Sequence, residues 1–366
     1  MTKEKKKISA QIVADSINPQ GDRITTFVLT YPRMIHAEVM THRVFSRNAA
    51  SSRAIPFKKM LESVKEDSFI PIAWQKDHKG MQGSDYESDF YRLKQNIYNW
   101  LETLDLVVAK ANIMNSDNKV TKQLCNRLLE PFQWYTCLVT VTELDNFYEL
   151  RCPKYKLIGL GGSPARSRKD WLNKMQLSSA LHPSEYPENE AEWWRLSESG
   201  AEIHIQALAE AMWDAQNEST PQQLKAGEWH IPFGDRMDTD ELHNFGIVNC
   251  DNIYDIDELK LCVATARAAR LSYMTFDGEI DYTKDIALHD QLLASKHMSP
   301  FEHCARAMTD KEYHSFIKGR IIDEGCELSQ YEDGYSQEVW IPKPIQGWCN
   351  NFKGFIQYRY LIEHGY

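Results

Sequence analysis

Thirteen consecutive residues near the start of the chain, Thr41–Arg53, are rich in side chains that bind anions. The segment contains no carboxylate, and its polar members are His42, Arg43, Ser46, Arg47, Asn48, Ser51, Ser52 and Arg53. Guanidinium groups bind phosphate in bidentate fashion, and serine hydroxyls add hydrogen bonds. Small alanines between them leave the backbone N–H groups accessible. The segment therefore predicts an anion site, and a solvated basic helix end is the alternative interpretation.

The elements that must position this segment can be read from the flanking sequence. Residues 8–29 form two strand-like runs around a PQGD turn and predict a β-hairpin. Apolar residues after Pro32 then predict a helix with the proline in its first turn. A loop is expected to follow this helix and to carry the segment. Further on, apolar periodicity predicts a long helix within residues 84–114 and an amphipathic helix at Ala201–Ala215.

Composition limits the class of protein. The chain has 366 residues, 42% of them hydrophobic, and a net charge of −10, which argues against a general nucleic-acid binder. Eight cysteines without a C-x-x-C pair predict neither a zinc knuckle nor a disulfide framework. The start of the chain has no apolar leader, and no run reaches the roughly 20 apolar residues of a membrane span. We therefore expect a cytoplasmic protein that binds no membrane.

The spacing within Thr41–Arg53 resembles the signature of the flavin-dependent thymidylate synthases. That family reads Arg-His-Arg, followed by Ser, Asn, Ser and Arg at the offsets found here. Three positions depart from the pattern, because Thr41 replaces the leading Arg, Ala49 replaces an acidic residue and Ser52 replaces a glycine.

A second segment, Arg127–Arg151, is similar to another stretch of the same family. The matching residues are Arg127, Pro131, Tyr135, Thr136, Asn146, Phe147 and Arg151. Cys137 stands where the family has a nucleotide-binding Arg, and a gap falls around Thr142 and Glu143. Part of the phosphate site must therefore come from elsewhere, or the substrate differs.

Two late segments complete the resemblance. Ala266–Tyr273 (ARAARLSY) and Lys296–His303 (KHMSPFEH) resemble motifs that precede Arg-His-Arg in the family, although here they follow it. The order of the family motifs is therefore predicted to be circularly permuted in this chain. Such a permutation is reasonable because domain termini tend to lie close together at the surface. Enlarged, permuted members of this kind are mostly encoded by phages, so the cytoplasm would then be that of the host.

The resemblance implies an α+β fold with helices packed on a mostly antiparallel sheet, in a single domain over 1–366. Its predicted parts are a signature and nucleotide-binding part (8–152), an insertion (153–200), a helix with the GEWH segment (201–250), a permuted flavin and folate part (251–310) and a C-terminal extension (311–366). The stretch 227–233, GEWHIPF, predicts only an aromatic turn. Family members are tetramers, so we expect a homo-oligomer.

The activity implied by the resemblance is transfer of a one-carbon unit from methylenetetrahydrofolate to C5 of dUMP, giving dTMP, with NADPH reducing FAD. Arg151 and Ser51 are the expected catalytic residues. The expected nucleotide-binding residues are Ala50, Ser51, Ser52, Arg53, Arg127, Arg151 and Arg359. The expected FAD-binding residues are His42, Arg43, Ser46, Asn48, Ser272, His297, Ser299 and Glu302. No metal site is expected, because Pro300 interrupts the helix that a pair of histidine ligands would need.

The C-terminal stretch 350–362 is predicted to complete this site. Apolar residues at helical spacing indicate a terminal helix, namely Phe352, Phe355, Ile356 and Tyr360. Because a phosphate dianion in a partly dry pocket needs partners, Arg359 is predicted to replace the cations missing at Thr41 and Cys137. Arg47 or the loop 166–169 could supply them instead, and a terminal helix with solvated basic residues is the structural alternative.

Two other functions stay open. The changed pocket around Cys137 is compatible with hydroxymethylation of dUMP, or with methylation or hydroxymethylation of dCMP. A nucleotide-binding protein without catalytic activity is the third possibility.

Overall fold

The strands fall into one five-stranded sheet and several smaller antiparallel groups. A computed structural model describes residues 5–79, 83, 85–178, 182–249, 256–273, 281–322, 327–330, 336–339 and 342–365. The strands are β1 (Ser9–Ile17), β2 (Arg23–Pro32), β3 (Ser46–Ala49), β4 (Trp134–Val141), β5 (Gln222–Gln223), β6 (Trp229–His230), β7 (Ala305–Ala307), β8 (Ile317–Ile322), β9 (Glu327–Gln330), β10 (Ser336–Val339), β11 (Pro342–Gln346), β12 (Trp348–Cys349), β13 (Phe352–Lys353) and β14 (Phe355–Gln357).

Helices connect and cover these strands. They are α1 (His36–Val39), α2 (Phe57–Glu66), α3 (Phe90–Ser116), α4 (Lys122–Leu128), α5 (Asp145–Arg151), α6 (Arg168–Ser178), α7 (Glu190–Leu196), α8 (Ile203–Glu218), α9 (Thr239–Asn249), α10 (Ile256–Tyr273), α11 (Tyr282–Ala294), α12 (Asp310–Ser315) and α13 (Tyr358–His364). Short 3₁₀ turns lie at Arg33–Ile35, Glu130–Phe132, Pro183–Glu185, Gly234–Arg236 and Ser299–Glu302. The chain is thus a mixed α+β fold.

The central sheet has the strand order β3-β4-β2-β1-β5. All of its pairs are antiparallel except β1 with β5. The hairpin predicted for residues 8–29 is confirmed as β1 and β2, whose β-branched and aromatic residues suit a pleated surface. β4 lies between β3 and β2, and its second half is buried throughout.

Both faces of the central sheet are covered. Alternate side chains of β2 and β4, including Leu29 and Val139, join an apolar cluster with α8 residues such as Leu208. The intervening side chains, including Leu138, pack with Ala268 of α10 on the opposite face. A strand within this sheet therefore presents its side chains to two separate buried environments.

The two long helices predicted from periodicity are present. The amphipathic helix is α8, whose N-cap Glu202 accepts hydrogen bonds from the backbone N–H groups of His204 and Ile205. The long helix is α3, which begins after the N-cap Asp89. The helix predicted before residue 41 is only a 3₁₀ turn followed by the short α1, with Pro32 at the N-cap.

The terminal helix predicted over residues 350–362 is wrong in its first half. Phe352, Phe355 and Ile356 lie in β13 and β14, and only the last residues form α13. Gly354 adopts a left-handed conformation at φ +74°, and β14 pairs with β7. These tertiary pairings override a spacing that also suits a helix.

The insertion predicted at 153–200 contains α6 and α7, which pack around a cluster of large aromatic residues including Tyr155, Trp171 and Trp194. Its glycine-rich turn, with Gly159, Gly161 and Gly162, is exposed. None of the helices among the described residues combines the length and apolar character needed to cross a bilayer.

Candidate functional site

Strand β3 carries the middle of the anion-binding motif on two faces. In its antiparallel pairing with β4, Ser46 lies opposite Thr140 and Asn48 lies opposite Leu138. Since successive side chains of a strand point to opposite faces, Ser46 and Asn48 share one face and Arg47 lies on the other. We call these the amide face and the arginine face of β3.

On the amide face, the C-terminal segment binds the motif directly. The Ser46 hydroxyl accepts hydrogen bonds from Asn351 Nδ2 at 3.0 Å and from Gln357 Nε2 at 3.1 Å. Asn351 Nδ2 also donates to the Val44 carbonyl at 3.0 Å. Asn351 Oδ1 accepts a hydrogen bond from Gln357 Nε2 at 2.7 Å. Ser46 and Gln357 are each buried. The segment after residue 350 therefore meets the motif, although Gln357 was not singled out from the sequence.

Asn48 joins both late segments to the motif. The Ser299 hydroxyl donates to Asn48 Oδ1, and Asn48 Nδ2 donates to the Ala268 carbonyl at 3.4 Å. Ser299 is also 3.4 Å from the Arg47 carbonyl. Three of the residues predicted to bind FAD, Ser46, Asn48 and Ser299, thus lie together.

The other residues predicted to bind FAD are more dispersed. Glu302 forms an ion pair with Arg359, and the distance from Glu302 Oε1 to the Arg359 guanidinium is 2.6 Å. His297 is exposed after a turn, and Arg43 is exposed without a side-chain partner among the described residues. Ser272 lies in the last turn of α10, and its side chain is outside the described part of the chain.

On the arginine face, Arg151 and His42 are in direct contact. Arg151 Nε donates to His42 Nε2 at 3.2 Å, and its guanidinium lies 3.5 Å from Glu38 Oε2. The His42 ring packs edge-to-face on Phe147, with 4.8 Å between ring centroids. Burial, with the nearby charges of Arg151 and Arg47, lowers the pKa of His42 to about 4. The neutral imidazole therefore accepts the hydrogen bond from Arg151 at pH 7.

Arg33 and Arg47 both lie near Cys137. Both guanidiniums are near enough to act on the thiol, although burial raises the pKa of Cys137 to about 12. Arg47 donates to the carbonyls of Met40 and His42 at 3.1 and 3.3 Å. Arg33 lies over the Tyr135 ring at 4.2 Å, and its buried NH1 has no hydrogen-bond partner in the described structure. Two guanidinium groups are therefore present near position 137, where the resembled family has an Arg.

His36 was also missed from the sequence. Its Nδ1 lies 2.9 Å from the Tyr31 hydroxyl, and burial, aided by Arg33 and Arg47, lowers its pKa to about 4. The only sequence signal for Arg33 and His36 was their position just after the predicted strand that ends near Pro32.

The residues predicted to bind phosphate form a turn after β3. The Ser51 carbonyl accepts from the N–H groups of Ala54 and Ile55 at 3.0 and 3.1 Å, and its hydroxyl accepts from Arg53 N–H at 3.3 Å. Asn126 Nδ2 donates to the Ser52 carbonyl at 2.8 Å. The Arg53 guanidinium is exposed and has no partner among the described side chains.

Three further predicted nucleotide-binding residues have defined positions. Ala50 is buried and its N–H donates to the Thr136 carbonyl at 3.1 Å. Arg127 is exposed and lies 3.6 Å from Glu130. Arg359 is held between Glu302 and Glu363, so its charge is already neutralised by two carboxylates.

The region around β3 is locally basic in an acidic protein. Its guanidinium groups belong to Arg33, Arg43, Arg47, Arg53, Arg127 and Arg151, whereas its ion-pairing carboxylates belong to Glu38 and Glu130. Such a local excess of positive charge favours an anionic ligand.

No activated thiol is found at this site in the described part of the chain. The six described cysteines are all buried, and none of them forms a disulfide. Burial raises the pKa of Cys349 to about 11, as it does for Cys137, so these groups are thiols at pH 7. The described residues also include no group of three or more His, Cys, Asp or Glu placed to hold a metal ion.

Comparisons with known proteins give distant similarities only. No protein-family model and no curated protein matches the chain. Among solved structures, it is similar to the UMP/dUMP methylase PolB from Streptomyces cacaoi bound with 5-Br dUMP, at 12% identity and a TM-score of 0.34, over 56% of this chain and 95% of that chain. A second structure of that methylase, bound with 5-Br UMP, gives 14% identity and a TM-score of 0.34, over 48% of this chain and 90% of that chain. These TM-scores do not establish a common fold.

Proposed function

We propose that the protein is a flavin-dependent enzyme that transfers a one-carbon unit from methylenetetrahydrofolate to C5 of dUMP. The product would be dTMP, with NADPH reducing FAD. One observation carries the proposal: the segments that resemble the flavin-dependent thymidylate synthases converge on β3. Asn48 contacts Ser299 and Ala268 across 251 and 220 residues, and His42 contacts Arg151 across 109. Segments identified separately in the sequence thus form one site, which supports a permuted arrangement of that family's motifs.

The nucleotide would be held on the basic side of this site. Arg53 has a free guanidinium beside the Ser51 hydroxyl, and Arg33 has a buried N–H without a partner. A phosphate dianion satisfies such donors with short charge-assisted hydrogen bonds. We assign the phosphate to Ser51 and Arg53, with Arg33 and Arg47 as the further cations.

Arg151 would polarise the pyrimidine. Glu38 and His42 hold its guanidinium in place, so its orientation does not have to be acquired during the reaction. A donor fixed in advance stabilises charge that develops on a carbonyl oxygen as C5 attacks.

The residues around the amide face suit a flavin. Hydroxyl and amide groups of Ser46, Asn48 and Ser299, the exposed imidazole of His297 and the unpaired guanidinium of Arg43 provide both neutral and cationic donors. When bound, FAD supplies the hydride that completes the methyl group. Burial raises the pKa of the Cys137 and Cys349 thiols, which agrees with chemistry that uses no thiolate.

One structural feature favours a second candidate, transfer to dCMP or formation of a hydroxymethyl product. Cys137, where the family has an Arg, is a buried neutral thiol beside Tyr31. Thr142, at the gap, accepts a hydrogen bond from the Lys353 N–H at 2.9 Å. The pocket therefore differs from the family pattern at the residues expected to select the pyrimidine.

The test begins with a visible spectrum of the purified protein, before and after incubation with FAD. The protein is then incubated with methylenetetrahydrofolate, NADPH and either dUMP or dCMP, and the nucleotide is analysed by mass spectrometry. A methylated dUMP supports the proposal, whereas a hydroxymethyl group or a modified dCMP supports the second candidate. A colourless protein that gains no flavin and leaves both nucleotides unchanged would contradict both.

A further inference from the structure

Five buried polar groups form one continuous hydrogen-bonded chain across the central sheet. Ser16 Oγ is 2.9 Å from His230 Nδ1, and His230 Nε2 is 2.8 Å from Thr26 Oγ1. Thr26 Oγ1 is 2.8 Å from Thr140 Oγ1, which is 2.9 Å from His303 Nδ1. All four distances are those of full hydrogen bonds, and Thr26, Thr140 and both histidines are completely buried. The chain includes the histidine of GEWHIPF, for which the sequence suggested no role.

The two ends of this chain have different surroundings. Ser16 is one of the residues lining an open cleft of about 740 Å³. The carboxylates of that cleft belong to Asp15, Glu228, Asp235 and Asp257. At the other end, His303 Nε2 is buried and has no hydrogen-bond partner among the described residues. His303 directly follows the turn that carries Ser299.

The number of protons in this chain is informative. A hydroxyl and a neutral imidazole each carry one transferable proton and can accept another hydrogen bond. Five groups therefore hold five protons, and the four links use four of them. If every donor points toward His303, the fifth proton is on His303 Nε2; if every donor points toward Ser16, the fifth is on the Ser16 hydroxyl. The two arrangements differ by the transfer of one proton from one end to the other.

We propose that the chain from Ser16 to His303 is a proton path between the cleft and a group bound against His303 Nε2. In one passage, a proton arrives at Ser16 Oγ, the proton of each group moves to the next, and the Nε2 proton is released. No other bond is made or broken, and the chain is left in the opposite orientation.

The use of this proton rests on the proposed function. Conversion of dUMP and methylenetetrahydrofolate to dTMP and tetrahydrofolate takes up one hydride and one proton. NADPH supplies the hydride, so the proton must come from solvent, and His303 Nε2, where the path ends, is buried. A path ending beside the Ser299 turn would deliver it.

Both histidines are neutral, as the path requires. Burial lowers the pKa of His230 and of His303 to about 3. An imidazolium would carry protons on both nitrogens and could not accept from the neighbouring hydroxyl.

The first test measures the tautomers in the full-length protein. Long-range ¹H–¹⁵N spectra of protein labelled at histidine distinguish Nδ1–H from Nε2–H. A chain oriented one way requires the same tautomer in His230 and His303. Opposite tautomers, or an imidazolium at pH 7 in either residue, would overturn the proposal without any reference to enzyme activity.

The second test separates a conducting chain from a static network. Thr140→Val removes the hydroxyl next to His303, so exchange of the His303 ring proton with solvent should slow by roughly tenfold or more, while that of His230 is unchanged. Thr140→Ser should restore the wild-type rate, and Thr30→Val, on β2 and without a side-chain hydrogen bond in the described structure, should have no effect. If the His303 ring proton of Thr140→Val exchanges with solvent as fast as in the wild type, or faster, the hydrogen-bonded chain does not carry protons.

Single-turnover dTMP formation links the path to the reaction. Thr140→Val should lower its rate by a similar factor and increase its solvent isotope effect, whereas Thr140→Ser should not. Turnover of the valine variant at the rate of the serine variant would rule out the path as the proton source. A wild-type protein that forms no product would instead refute the proposed function, and the exchange measurements would still decide on the path.

Discussion

At the scale of single residues, Arg151 and His42 are in direct contact, although the family resemblance assigns Arg151 to the nucleotide and His42 to FAD. Arg151→Ala should lower the rate of transfer to the pyrimidine about a hundredfold, near 3 kcal/mol, because it removes one donor fixed in advance. Flavin binding should be retained. Arg92→Ala, which removes an exposed arginine 3.6 Å from Glu87, is the matched control. Turnover of Arg151→Ala at the control rate would exclude Arg151 as the polarising group.

His42→Ala tests the other half of this contact. It should reduce the flavin absorbance or the oxidation of NADPH, because His42 is among the residues that the family resemblance assigns to FAD. His42→Gln keeps a hydrogen-bond acceptor for Arg151 but lacks the ring, so it shows whether the ring itself is needed. A His42→Ala protein with full yellow colour and full NADPH oxidation would contradict this placement.

Ser46 offers a test of stability at a buried polar site. Ser46→Ala would leave the amides of Asn351 and Gln357 without the hydroxyl that both now contact. A buried donor without a partner costs about 1–3 kcal/mol, so the free energy of unfolding in urea should fall by about 2 kcal/mol. The exposed Ser315→Ala should change it by less than about 0.5 kcal/mol. Equal stability of the two variants would mean that both amides find other partners.

The sequence could predict some members of this site but not their partners. Ser46, Asn48 and Ser299 were identified from motif spacing and lie together. Arg33 and Gln357 were not, because their part in the site depends on contacts made after folding. A glutamine 311 residues from its partner serine leaves no local pattern in the chain.

At the scale of elements, periodicity predicted the long helices and the hairpin, and it failed in the tail. An apolar spacing of three and four residues is typical of a helix, but it also occurs where short strands are buried on both faces. Phe355 and Ile356 are consecutive and both buried, because their side chains join two different apolar clusters. Such burial depends on β7 and on the residues around Ser46, which local sequence does not reveal.

Helix α8 carries a buried carboxyl that should make stability depend on pH. Glu210 accepts hydrogen bonds from the Arg168 N–H at 2.6 Å and the Tyr155 hydroxyl at 3.1 Å, and burial raises its pKa to about 7. The neutral acid is favoured in the folded state, so its contribution to stability is complete below pH 4.5 and is lost as the pH rises through about 7.

Glu210→Gln tests this contribution, because it removes the ionisation and keeps the shape. Relative to the wild type, the variant should gain up to about 3 kcal/mol in free energy of unfolding between pH 4.5 and pH 8. Denaturant unfolding at several pH values measures the difference. A stability difference that does not change with pH would mean that Glu210 titrates normally in the folded protein.

At the scale of the whole molecule, the hairpin at the start of the described chain is joined to its final segment. Asn18 Nδ2 donates to the Gly354 carbonyl at 2.9 Å, and Lys353 Nζ lies 3.2 Å from Asp22. Gly354 has a positive φ, and a Cβ there would collide with the side chains of Asn18 and Asp22.

Two glycines in this region provide a matched pair. Gly21→Ala should cost about 1 kcal/mol, since Gly21 has φ +88° but open space around its Cβ position. Gly354→Ala should cost at least about 2 kcal/mol more, because the new methyl group must also displace the Asn18 and Asp22 side chains. Thermal or urea unfolding measures both. Equal losses would show that the contact between the two segments is easily rearranged.

The hydrogen bonds from Gln357 to Ser46 also have a consequence for biosynthesis. The two residues are 311 positions apart, so at about 5–20 residues per second Ser46 is made roughly 15–60 s before its partner. During that interval the amide face of β3 lacks the cover that this late segment provides. Partly synthesised chains should therefore expose this face to chaperones, and mutations that weaken the tail should reduce the yield of folded protein before they affect its chemistry.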